Sequence, residues 1–108
     1  MKQQCLLRLN IPPGLEEDVV DLLLTTEEIP GFQSYPIRGH GQVGAMTIAE
    51  QVEGRRSRVQ FEIVLDDEQL EAVLQKLKEA LPVPDIIYWI LPILASGRLL
   101  ELSQATDE

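Results

Sequence analysis

The stretch RSRVQFEIVLDDEQLEAVLQKLKEAL, residues 56–81, changes its period half-way along, and that change decides the fold. From Arg56 to Leu65 the residues alternate. Ser57, Val59, Phe61, Ile63 and Leu65 fall on one face, with Arg56, Arg58, Gln60 and Glu62 on the other, which predicts a strand with one buried face. Beyond it the apolar spacing becomes helical. Leu70, Val73, Leu74, Leu77 and Leu81 form a stripe, while Glu71, Gln75, Lys78 and Glu79 face water. Asp66 stands where a helix cap is needed, with Gln69 three residues later in capping-box spacing. Pro82-Val83-Pro84 then stops the helix.

Working outward, residues 4–11 alternate in the same way, with Cys5, Leu7, Leu9 and Ile11 on one face and Leu6, Arg8 and Asn10 on the other. Pro12-Pro13-Gly14 breaks this strand. A helix follows, with Glu16, Glu17 and Asp18 in its first turn, where carboxylates suit the positive end of the helix dipole. Leu15, Val19, Leu22 and Leu23 form its buried stripe, and Thr25-Thr26 with Pro30-Gly31 end it. Phe32–Ile37 reads as a second strand and Ile86–Leu91 as a fourth, apolar on both faces. A short further strand is expected around Leu99–Leu102, and 103–108 is a polar tail. The order β-α-β-β-α-β predicts an α+β, ferredoxin-like domain over residues 1–102: an antiparallel four-stranded sheet with both helices on one face. In the fourth strand Tyr88 and Ile90 lie opposite Trp89 and Leu91, and one chain has nothing left to cover the second face. Burying such side chains stabilises by roughly 1.5–3 kcal/mol each. Self-association through the sheet is therefore expected, with Tyr88 and Trp89 as the interface candidates.

The bulk properties are those of one globular domain: 108 residues, 44% hydrophobic and 25% charged. The longest apolar run stops at Pro92, well short of the roughly 20 residues that span a bilayer. The N-terminus enters the first strand without a signal-like segment, so a cytoplasmic location is expected. Cys5 is the only cysteine, which excludes an internal disulfide and suits a small core residue. The net charge of −9 argues against nucleic acid as a partner. The charge is unevenly spread, however. Between positions 38 and 58, Arg38, Arg55, Arg56 and Arg58 outweigh Glu50 and Glu53, so that segment carries +2 and the rest of the chain −11. A local basic site on an acidic body suits a small anion or an acidic partner.

The chemistry-bearing residues concentrate in the same region. Arg55-Arg56-Ser57-Arg58 offers guanidinium forks for phosphate or carboxylate; the alternative is a strand's solvent side paired with the chain's many acids. Gly39, Gly41 and Gly44 could present backbone N–H groups to an anion, but no Walker or dinucleotide pattern accompanies them. His40, the one histidine, is flanked by glycines; a metal site there would need Asp, Glu or a neighbouring subunit. The segment from Gly39 to Glu53 is a loop of about 15 residues, a length usually tied to function. There is no nucleophile–base set, so no enzymatic activity and no cofactor are expected.

Further residues carry a resemblance. Gly31-Phe32, Ser34, Pro36 and Gly39-His40-Gly41 begin a pattern that continues in Ala49-Glu50-Gln51-Val52, Gly54-Arg55-Arg56, Arg58-Val59 and Phe61, and ends in Tyr88-Trp89, Leu91-Pro92 and Gly97-Arg98. It is similar to a family of small uncharacterised PII-like proteins often encoded near heavy-metal efflux pumps, over roughly residues 5 to 100. The resemblance implies a homotrimer of ferredoxin-like subunits with sheets facing inward. It also implies effectors bound between subunits, and a loop, here about residues 38 to 55, that docks on a transporter or enzyme. The resemblance adds Gly97 and Arg98, as a match to the family's C-terminal arginine loop, to the anion candidates read from the residues, Arg38, Gly39, Gly41, Arg55, Arg56 and Arg58. PII proteins carry a glycine-rich phosphate loop with a basic residue before the last strand; this chain has Leu81-Pro82-Val83-Pro84-Asp85 there. A second expectation is a cation-binding accessory of an efflux system, similar in architecture to the trimeric CutA proteins, with His40 as a ligand.

Overall fold

The computed structural model describes residues 3–40 and 56–102, with Arg56 described by its backbone alone. Strand β1 (Gln4–Ile11) runs through a short 3-10 turn at Pro13–Leu15 into α1 (Glu16–Leu24). Next come β2 (Phe32–Gly39), β3 (Arg56–Asp66), α2 (Asp67–Ala80) and β4 (Ile87–Ile93). The expected order is present, and all strand pairs are antiparallel in the order β2-β3-β1-β4. This is the ferredoxin-like α+β arrangement.

The alternation read from the sequence becomes the two faces of this sheet. Cys5, Leu7, Leu9 and Ile11 pair with Leu65, Ile63, Phe61 and Val59 and pack beneath Val19 and Leu23 of α1 and Val73 and Leu77 of α2. Burial pushes the Cys5 thiol above its ordinary pKa, helped by the Asp67 side chain, which suits a core residue and not a reactive one. Helix α2 starts where Asp66 predicts: the Asp66 backbone N–H donates to Gln69 Oε1 at 3.3 Å. The Leu99–Leu102 expectation is corrected. Leu99–Glu101 is a single 3-10 turn, whose backbone bonds are local, from Glu101 N–H to the Arg98 carbonyl and from Leu102 N–H to the Leu99 carbonyl, and it pairs with none of the described strands. Among the described residues, no helix is long and apolar enough to cross a membrane.

Strand β4 is a sheet edge, bonded to β1 alone among the described strands. Its register puts Tyr88 and Ile90 beside Leu9 and Leu7 on the helix side, and Trp89 and Leu91 beside Arg8 and Leu6 on the open side. Of the two expected interface aromatics, Trp89 is therefore on the open face of the sheet and Tyr88 is not.

Candidate functional site

Two polar clusters stand out, and both are built by strand register. The first lies at the end of the sheet where β2 and β3 enter the segment between them. Arg58 pairs with Ile37, two residues from the closing Gly39–Arg56 pair. It was expected either to hold a ligand or to line the strand's solvent side. Instead its side chain is 2% exposed. Its Nε donates to Asn10 Oδ1, its Nη1 to Asp85 Oδ2 at 2.9 Å, and its Nη2 to the backbone carbonyls of Asn10 and Asp85, both at 2.9 Å. One guanidinium thus ties β3, β1 and the connection into β4 together. Asp85 stands just ahead of the strand, at the end of Leu81-Pro82-Val83-Pro84-Asp85.

The second cluster occupies the middle of the open face. Glu62 accepts from Gln33 Nε2 at 2.9 Å, from the Tyr35 hydroxyl at 2.8 Å and from Arg8 Nε at 2.9 Å, and Gln60 Nε2 donates to the Tyr35 hydroxyl at 3.1 Å. Those bonds, from Gln33 first, then Tyr35 and Arg8, hold the Glu62 carboxyl below its ordinary pKa. A lowered folded-state pKa gives stability that is present above the unfolded value and lost as pH falls through the folded one. Glu62→Gln should therefore cost about 1–2 kcal/mol at pH 7. It should also flatten the loss of stability expected of the natural chain as pH falls through the carboxylate range. Urea unfolding across that range checks both. Around this cluster the face is apolar: Leu6, Val64, Leu91 and Ile93 lie towards one end, with Ile37, Ile87 and the half-exposed Trp89 completing the surface.

Among the described residues, the remaining expected ones do not converge within one chain. Arg38 pairs with Ser57 and so shares the helix-side face, opposite Arg58; Gly39 closes β2, and His40, exposed, follows it. Gly97 and Arg98 lie beyond the far end of β4, where Ile93 pairs with Gln4 and Ser96 Oγ donates to Gln4 Oε1 at 2.6 Å. Seven residues of β4 separate these ends, about 20 Å of extended chain. Gly41, Arg55, the Arg56 side chain and the rest of the loop lie outside the described residues. Among the described residues, no group of three or more His, Cys, Asp or Glu side chains is placed to hold a metal. Asn10, Asp85, Arg8, Glu62 and Tyr35 were not singled out from the sequence. Their one signal there, an arginine on one strand and a glutamate on another, becomes a pair only when the register is known.

Comparison with known proteins agrees with the architecture. A DUF3240 family protein from Shewanella baltica OS155 superposes with a TM-score of 0.76 at 29% identity, over 92% of this chain and 99% of that one. Arabidopsis thaliana PII bound to citrate gives 0.66 at 21% identity, over 85% and 78% of the two chains. The periplasmic divalent cation tolerance protein CutA from Archaeoglobus fulgidus gives 0.67 at 11% identity, over 88% of each. At those identities PII and CutA bear on the fold alone. No curated protein matches. The family model described as "Protein of unknown function (DUF3240)" matches residues 1–100, nearly the whole chain. With its PII-like, ferredoxin-like fold, this chain belongs to the DUF3240 family.

Proposed function

We propose that this chain is the subunit of a homotrimeric, PII-like regulatory protein that binds a small anion at clefts between subunits. It acts on a transporter, such as an efflux pump, or on an enzyme through residues 39–53. The observation that carries this reading is the open face of the sheet. Leu6, Val64, Leu91 and Ile93 form one apolar surface with Trp89, and both helices lie on the other side. A surface of that kind marks an association site. The arrangement of the arginines supports it. Arg38 stands at the loop end of the sheet and Arg98 follows β4 from the other, so one chain does not bring these two together and a neighbouring subunit could. Arg58 is not part of this ligand set, because its donors already hold Asn10 and Asp85.

The test is a thermal-shift screen of phosphorylated metabolites, small carboxylates and divalent cations against the natural chain, Arg38→Ala, Arg98→Ala and His40→Ala. A ligand at a hundred times its dissociation constant adds about 2.7 kcal/mol of stability. The expected result is an anion-induced shift lost in Arg38→Ala and Arg98→Ala and kept in His40→Ala. The similarity of fold to a divalent cation tolerance protein gives a second reading, a cation-binding accessory of an efflux system. It predicts the opposite ranking, since imidazole coordinates transition metals and a guanidinium does not.

A further inference from the structure

On the helix side of the sheet, α2, the connection after it and β4 enclose a groove of about 410 Å³. Leu74, Leu77 and Leu81 form one wall, Val83 and Ile86 the floor of the connection, and Tyr88 the side of β4, with Glu71, Gln75 and Lys78 along the helix rim. Tyr88 is more than half exposed here although it faces the helices, so the single chain leaves this part of its core open. An apolar groove of this volume, edged by a few polar groups, has the character of a binding site.

The opposite end of β4 carries the complementary feature. After Ile93 the chain runs on to Leu102 with Leu94, Leu99, Leu100 and Leu102 largely exposed, Leu100 completely so at 100%. Leu99–Glu101 forms a turn, closed by Glu101 N–H donating to the Arg98 carbonyl at 3.0 Å, so Leu99, Leu100 and Leu102 stand on one short preformed segment. Arg98 and Glu101 bracket Leu99 and Leu100, as the acidic Glu71 and basic Lys78 edge the groove. This segment cannot readily serve its own chain. The groove opens at the Ile86 end of β4, while the segment leaves at the Ile93 end, tied there by the Ser96–Gln4 bond.

We propose that the Leu99–Leu102 segment of one copy seats in the α2–β4 groove of a second copy, with Arg98 towards Glu71 and Glu101 towards Lys78. Such a contact is head to tail, and closes into a ring of three when each copy is turned by a third of a circle from the last, as the trimeric reading requires. The inference rests on the trimeric reading above and adds to it a second interface, on the side of the sheet away from the inward face.

The test is a disulfide across the contact. Gln75 and Leu100 are both exposed, so Gln75→Cys and Leu100→Cys leave the core alone, and the natural Cys5 is buried out of reach. Under mild oxidation the Gln75→Cys/Leu100→Cys double variant should run on a denaturing non-reducing gel as a ladder ending at three chains. Each single variant should stop at two or fewer, and a variant pairing Leu100→Cys with Asp18→Cys on the exposed side of α1 should give no three-chain product. If the double variant sediments as a trimer and yet runs as single chains, the docking of the segment is wrong and the trimer stands. If it sediments as a monomer, both fall.

Discussion

Arg58→Met should lower the free energy of unfolding by about 3 kcal/mol, the scale on which removing one partner of a buried ion pair acts. The methionine fills much of the same space, so the loss comes from the polar groups left behind. The Asn10 side chain and backbone carbonyl lose their donors, and the Asp85 carboxylate loses its guanidinium. Arg58→Lys should recover only part of the loss, because an ammonium reaches one or two of four acceptors set out for a planar fork. Urea unfolding at pH 7 measures both. A loss below about 1 kcal/mol for Arg58→Met would mean that the three elements do not depend on this residue.

Trp89→Asp should convert the trimer to monomers while leaving the subunit folded. In the single chain the ring is 49% exposed, so its removal disturbs the subunit little. In the proposed trimer it is covered, and a carboxylate put in its place must be desolvated once in every copy. Central aromatic anchors of interfaces are worth roughly 2–4 kcal/mol, or about a 30-fold to 1,000-fold weakening per contact. The neighbouring Arg8 already holds Glu62 through its Nε, so an aspartate at position 89 adds a second carboxylate to one guanidinium. Circular dichroism should show an unchanged fold alongside the fall in mass.

The two halves of the account differ in how far they were legible in the sequence. Strand and helix periods, the breaks at Pro12-Pro13-Gly14 and Pro82-Val83-Pro84, and the start of α2 at Asp66 are local properties, and each appears where the residues place it. The inward set of Phe61, Ile63, Leu7 and Leu9 follows from alternation alone. What the alternation cannot show is which strand lies beside which. Arg58 reads as solvent-facing because its neighbours Gln60 and Glu62 are polar. It is buried because β1 brings Asn10 beside it and the connection into β4 brings Asp85 over it. The Glu62 cluster likewise draws on β1, β2 and β3, and appears only once the order β2-β3-β1-β4 is known. The leucines at 99, 100 and 102 read as a strand by composition; local backbone bonds instead close Leu99–Glu101 into a turn, and all three leucines are exposed.

The central claim is that the open face of the sheet is an inward-facing trimer interface. Sedimentation equilibrium at micromolar concentration, run on the natural chain and on Trp89→Asp, tests it most directly. The account predicts three times the 12.1 kDa chain mass for the first and one times that mass for the second. A natural chain that sediments as a 12.1 kDa monomer, or a Trp89→Asp variant that keeps the trimer mass, would contradict it.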